Sequence, residues 1–127
     1  MSFRIRFDSH NRVARMLFYG EATYDNRVEA VRQLIAKYGH LQPLRVFADV
    51  RQVRKMSMTA EEQARFGSFV ACALVTRGAR IAILNGNQLD TTAVIRNKAR
   101  EGGLEFFSFL TEAEALSWLT SSAEVPG

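Results

Sequence analysis

Most of the residue types that could do chemistry gather in one stretch, DVRQVRKMSMTAEEQ, from Asp49 to Gln63. It holds an acid, three cations (Arg51, Arg54, Lys55), two methionines (Met56, Met58), two hydroxyls (Ser57, Thr59) and the acids Glu61 and Glu62. A serine or threonine nucleophile needs an orienting base. The histidines are His10, in the turn SHN, and His40, just after a helical pattern. Neither stands beside a serine in the strand–turn–helix setting of a nucleophile elbow, and both read as exposed loop residues. Two histidines and one cysteine, scattered along the chain, do not make a zinc spacing. Cys72, flanked by Ala71 and Ala73, reads as a small core residue of a helix. A phosphate site would need a glycine-rich turn. LNGNQLDTT offers only Gly86, and Asp90 would fill the free donors there as a cap. The acid pairs Glu61–Glu62 and Glu112/Glu114 fall in first helical turns, where they complement the macrodipole. The chain is therefore expected to be no enzyme and to carry no catalytic, cofactor or metal site.

The elements that would position these residues follow from periodicity. FRIRFD alternates Phe3, Ile5 and Phe7 with Arg4, Arg6 and Asp8, as in a half-exposed edge strand. RVARMLFYG follows after a short turn, with Ala14, Met16 and Phe18 on one face, so the two form an antiparallel hairpin. YDNRVEAVRQLIAKYGH predicts a helix with Val31, Leu34, Ile35 and Tyr38 as its stripe and Gly39 as a left-handed cap. PLRVFADV predicts the third strand, ending at Val50. Thr59 and Glu62 make a T-x-x-E capping box. The helix behind them carries Phe66, Phe69, Val70 and Ala73, and Arg77 and Gly78 close it. ARIAILNG is apolar enough for a strand covered on both faces. NQLDTTAVIRNKAREGG predicts a helix with Val94, Ile95 and Ala99 inward. LEFFSFL predicts the fifth strand. TEAEALSWL predicts a last helix, capped by Thr111 and Glu114 and stapled by Leu110 onto Ala115.

The order is β-β-α-β-α-β-α-β-α. It predicts an α/β fold with a five-stranded, mostly parallel sheet and an antiparallel N-terminal edge strand. The 127 residues suit a single domain, with a core of about 3–119 and a tail, 120–127, that frays. No apolar run is long enough to cross a bilayer, and the start does not read as a signal peptide. One cysteine excludes an internal disulfide and suits the cytoplasm. The net charge of +4 invites a nucleic-acid reading, but the arginines are spread from Arg4 to Arg100 without a dense run or an RNA-recognition motif. A specific nucleic-acid partner is not expected.

The ending FSFLTEAEALSWL matches a pattern F-x-x-x-x-E-A-x-x-W-L, through Glu114-Ala115 and Trp118-Leu119. It resembles the ending of the SpoIIAA-like family, relatives of the STAS domain of anti-sigma-factor antagonists. Gly20-Glu21, Asp49 and ARIAIL fall where that family closes its second and third strands and places its central strand. The resemblance runs from about Phe3 to Leu119 and implies parallel strands in sequence order with the hairpin strand at one edge. It also implies a protein-binding, non-enzymatic role, with lipid holding among more distant relatives of the Sec14 type. In the antagonists, the loop after the third strand reads approximately D-L-S-x-V-x-x-M-D-S-S-G and carries a switch serine. Asp49, Val53 and Met56 match it. Ser57 replaces the acid, Met58 the switch serine and Ala60 the glycine, while Thr59 keeps a hydroxyl.

The leading expectation is a non-catalytic regulatory or protein-interaction module. It would dock through a strand-to-helix loop made of Asp49, Arg51, Arg54, Lys55, Met56, Ser57, Met58 and Thr59. At Thr59, capping outweighs phosphorylation, and for the basic residues a solvated loop is the competing reading. The alternative is a carrier or sensor of a small apolar ligand or lipid. Nine phenylalanines motivate it, with Phe66, Phe69, Phe106, Phe107 and Phe109 clustered. Apolar side chains left uncovered would instead make a homodimer surface.

Overall fold

The amino-terminal alternation becomes strand β1 (Phe3–Asp8), paired antiparallel with β2 (Val13–Ala22), Phe3 opposite Phe18 and Asp8 opposite Val13. The computed structural model describes residues 2–86 and 90–121. Asp8 closes the hairpin by accepting from the Asn11 backbone N–H at 3.1 Å, its side-chain amide at 2.9 Å and Arg15 Nε at 3.0 Å. These bonds, that of the Asn11 side chain foremost, hold the Asp8 carboxyl down at about 2.

Helix α1 (Tyr24–Tyr38) starts on a capping box between Thr23 and Asn26. Gly39 after it is not left-handed as expected but right-handed, with φ −63°. It is required for closeness instead. A Cβ there would stand 2.5 Å from the Ile35 carbonyl oxygen, and Arg77 Nη1 donates to the Gly39 carbonyl at 2.7 Å. Strand β3 (Arg45–Met56) runs well past Val50, where the sequence reading ended it. Helix α2 (Ala60–Leu74) carries the expected capping box, and a short 3₁₀ turn (Val75–Arg77) brings the chain to a left-handed Gly78. The remaining elements are β4 (Arg80–Leu84), α3 (Ala93–Glu101), β5 (Glu105–Phe109) and α4 (Glu112–Thr120). The helix expected from Asn87 starts only at Ala93, and residues 87–89 lie outside the described residues. Of the expected fraying tail, 122–127 likewise lie outside them.

The five strands stand in the order β1-β2-β3-β4-β5, and every pair after the hairpin is parallel. Strand alternation sends successive side chains to opposite faces. Met16, Phe18, Val46, Ala48, Ile81, Ile83 and Phe106 meet α1, α2 and α3 in one large core. Val13, Phe47, Ala82 and Leu84 meet Ala115 and Leu119 of α4 in a smaller core on the other face. Among the described residues that second face is covered by one helix, α4, over β3, β4 and β5.

Helix α2 buries a set that differs from its predicted stripe. In α2 the buried set is Phe66, Gly67, Val70, Ala71 and Leu74, while Phe69 and Ala73 are only half-buried. The helix packs on both the sheet and α3, so small residues face α3. A Cβ on Gly67 would lie 2.5 Å from the Ile95 carbonyl oxygen. Cys72 is exposed rather than core, because its neighbours on both sides turn toward those two surfaces. The Leu110 staple also fails. Its side chain is 66% exposed, and Ala115 is instead buried against the sheet.

Candidate functional site

The predicted docking loop is a strand for most of its length. After Asp49, opposite Leu84, β3 has lost β4 but keeps β2: Gln52 pairs with Tyr19, Val53 with Gly20, Lys55 with Glu21 and Met56 with Ala22. Two register shifts accommodate this, each with one extra residue in β3, and one lies beside Gly20 at φ 70°, a backbone angle that glycine adopts without strain. The long β2 supplies the hydrogen-bonding partner that the charged sequence RQVRKM does not advertise.

The eight predicted residues divide by what they touch. Asp49 and Arg51, two positions apart, grip each other. Asp49 Oδ1 accepts from the Arg51 backbone N–H and Nε, each at 3.0 Å, and Oδ2 accepts from Nη2 at 2.9 Å. Burial works to raise the Asp49 carboxyl, but the Arg51 hydrogen bonds outweigh it and hold the carboxyl below its ordinary value. Asp49 thus fixes a pair within a strand, not a turn. Ser57 donates from its hydroxyl to the Glu21 carboxylate. Met58, expected at the docking surface, is instead 5% exposed and belongs to the main core. It follows the end of β3 and points under α2 while Gln63 Nε2 donates to its carbonyl at 3.0 Å. Thr59 is taken up by capping: Oγ1 accepts from the Glu62 N–H at 3.1 Å, and Glu62 Oε1 accepts from the Thr59 N–H at 2.9 Å. Arg54 and Lys55 are exposed and, with Val50, Val53, Met56, Asn85 and Thr91, line a cleft of about 130 Å³. This cleft lies along the β3 extension and beyond the carboxyl end of β4, the end of a parallel sheet where ligands bind.

The strand-to-helix turn after β4 is filled from within. Asp90 Oδ1 accepts from the Thr92 N–H at 3.0 Å and Thr92 Oγ1 at 2.8 Å, and Oδ2 pairs with Arg96 at 2.8 Å. Burial tends to raise the Asp90 carboxyl, and the bonds from Arg96 and Thr92 bring it below its ordinary value. Asp90 is not the helix cap that the sequence suggests: Thr92 precedes α3 without a side-chain cap bond, and Asp90 closes the turn before it. His10 and His40 are both exposed. Among the described residues no cluster of three or more His, Cys, Asp or Glu could hold a metal ion. Among them, no helix is long and apolar enough to cross a membrane.

One group of interest escaped the sequence reading. Between the sheet and α1, α2 and α3 lies an apolar cavity of about 70 Å³, walled by Phe18, Val31, Phe66, Val70 and Ile95 among others, and bordered by Arg27 and Thr92. Arg27 is 6% exposed and lies over the Phe18 ring at 4.1 Å from its centroid. Its burial alone pushes the guanidinium down to about 10. The signal was present in the sequence. Arg27 precedes Val31 by four residues and Leu34 by seven, so a cation sits on the apolar stripe of α1.

The architecture is shared with a solved structure. A crystal structure of an uncharacterized protein from the DUF3478 family with a SpoIIAA-like fold, from Shewanella loihica PV-4, superposes with a TM-score of 0.60. The alignment covers 92% of this chain and 91% of that one at 18% identity. At that identity the likeness establishes fold alone. The chain has a SpoIIAA-like, STAS-like α/β fold, as the ending of its sequence implied. No protein-family model matches the chain, and no curated protein matches it.

Proposed function

We propose that this chain is a non-catalytic regulatory module of the cytoplasm that docks an acidic segment of a partner protein along the extension of β3. The observation that carries this reading is that β3 continues to Met56 after its pairing with β4 has ended at Asp49. Among the described residues no strand pairs with that side of β3 from Gln52 to Met56, and such a strand edge can accept a further extended segment through main-chain hydrogen bonds. Arg54 and Lys55, exposed beside the cleft, favour an acidic one. The docking residues are then Arg54, Lys55 and Met56. Asp49 and Arg51 hold the strand, and Ser57 and Thr59 anchor its end. The test is photo-crosslinking in the native cell from a reactive residue at Gln52, whose side chain is exposed. A discrete adduct should form and should vanish with Arg54→Glu/Lys55→Ala. An adduct pattern that the charge change leaves untouched would remove this segment as the docking surface.

A second reading, a carrier or sensor of a small apolar ligand, is favoured by the cavity beneath α1–α3. Its volume of about 70 Å³ is far below the roughly 300–1,000 Å³ of pockets for drug-sized ligands. Its occupant would have to be small, and a full lipid would require the helices to part. Native mass spectrometry of gently purified protein reads this directly. A retained small adduct supports it, and a clean chain mass opposes it.

A further inference from the structure

The second face of the sheet is only half covered. Among the described residues α4 packs over β3, β4 and β5, and the hairpin of β1 and β2 beside it carries no helix on this face. Neighbouring strands lie about 4.8 Å apart. The bare pair is therefore about 10 Å wide, the diameter of one α-helix. Strands that run parallel, as β2 and β3 do, are ordinarily covered on both faces. Phe3 and Ile5 turn to the main core, so alternation sends Arg4 and Arg6 to the second face, with Leu17 opposite Arg4 and Arg15 opposite Arg6. Toward α4 the strip deepens into a groove of about 360 Å³, lined by Arg4, Arg6, Arg15, Leu17 and Phe47 among others.

The cations of this strip are not equivalent. Arg15 is held by Asp8 at 3.0 Å and by Glu112 of α4 at 3.1 Å, lying over the Phe47 ring at 4.9 Å from its centroid. Arg4 and Arg6 are exposed and have no ion pair among the described residues; Arg4 stands 6.0 Å from the centroid of the half-buried Tyr19 ring. The strip thus fits a helix that carries carboxylates. One such helix lies beside it. In α4, Glu112 and Glu114 are exposed, and the helix has no Lys or Arg. Ala115 and Leu119 face its own sheet. Away from that sheet it shows Ala113, Ser117 and Thr120, all exposed and small enough to let a second sheet approach. Leu110, at the same end as both glutamates, leaves 66% of its surface in water.

We infer that this face is a twofold interface between two copies of the chain, in which α4 of each copy lies over β1 and β2 of the other. The bare strip and the acidic helix stand side by side on one surface. A twofold rotation about an axis between them brings each onto its counterpart, so the contact is self-complementary and closes as a dimer. The two α4 helices then share one layer between the two sheets. Glu112 and Glu114 of one copy meet Arg4 and Arg6 of the other, and this complementarity of charge selects α4 over a neutral or basic helix. The inference does not depend on the docking proposed for the β3 extension.

The experiment is sedimentation velocity of the purified chain across a range of protein and salt concentrations. The expected result is a reversible dimer that salt weakens. Arg4→Glu/Arg6→Glu and Ala113→Lys/Glu114→Lys, all at exposed positions, should each raise the dimer dissociation constant at least tenfold. An equimolar mixture of the two variants should dimerise again, because in the mixed pair each helix meets a strip of opposite charge. A chain that stays monomeric throughout would overturn the inference and leave the strip to an acidic helix of another protein. A dimer indifferent to both charge reversals would place the contact elsewhere and overturn it too. Two monomeric variants whose mixture stays monomeric, with far-UV circular dichroism showing both folded, would overturn the pairing of strip with helix. The first readout uses the unaltered protein, so a variant that fails to fold does not shield the inference.

Discussion

Asp49 and Arg51 form a two-toothed ion pair, 2.9 Å from Oδ2 to Nη2 and 3.0 Å from Oδ1 to Nε, along one edge of a single strand. Residues two apart in a strand share a face, and this pair sits where β3 leaves β4. The Arg51 side chain is 47% exposed and Asp49 14%. Arg51→Ala should therefore cost less than about 1 kcal/mol. Asp49→Ala should cost more, about 1–2 kcal/mol, since it also strands the Arg51 backbone N–H. Urea unfolding of the single and double variants should give a coupling below about 1 kcal/mol. A much larger coupling would show that the pair holds the whole β3 extension.

Thr59 is fully engaged as a cap, which bears on its hydroxyl as a modification site. Thr59→Ala and Thr59→Val should each cost about 1 kcal/mol by loss of the oxygen that accepts from the Glu62 N–H. Thr59→Ser and Thr59→Asp should be close to neutral in the same unfolding assay, because both can still accept that bond.

The Asp8 carboxyl is held at about 2 against an ordinary 3.8. Its folded value lies below its unfolded one, so its contribution is complete above about pH 4 and is lost as the pH falls through 2. The stability difference between the unaltered protein and Asp8→Asn should be level from pH 7 to 5, on the order of 1 kcal/mol after solvent screening. It should shrink between pH 4 and 2. Urea midpoints across that range measure it, and a difference that grows on acidification would contradict the assignment.

Gly67 sets the distance between α2 and α3. Alanine would improve helix propensity by about 1 kcal/mol. However, its Cβ would stand 2.5 Å from the Ile95 carbonyl oxygen and 2.8 Å from Lys98 Cβ. The backbone contact cannot yield without moving a helix, so Gly67→Ala should destabilise by about 1–3 kcal/mol net. Gly20→Ala is a useful comparison. No atom lies within 4 Å of its Cβ position, and its cost comes from φ 70° alone.

Much of the fold was legible because its signals are local. The alternation of Phe3, Ile5 and Phe7 and the capping box of Thr59 and Glu62 involve residues a few positions apart and appear as read, while at α4 only the Thr111 half of the expected box forms, its hydroxyl accepting from the Glu114 N–H. The order of elements then left few topologies, and the hairpin-plus-parallel sheet is the one found. The docking segment was legible only in part. Arg54 and Lys55 are exposed as expected, but Arg51 to Met56 is strand, since its partner is the distant end of β2. Met58 looked like a surface methionine because nothing nearby in sequence shows what α2 and the sheet would enclose.

By itself the sequence determined the alternation of strands and helices, the capped helix starts and a SpoIIAA-like ending, all through interactions spanning a turn or two of chain. The tertiary structure decided how far β3 runs, that among the described residues one helix rather than two covers the second face of the sheet, and that Arg27 lies inside against Phe18 beside a cavity. Those depend on surfaces brought together from distant parts of the chain, and periodicity records only that a residue points inward, not what it meets there.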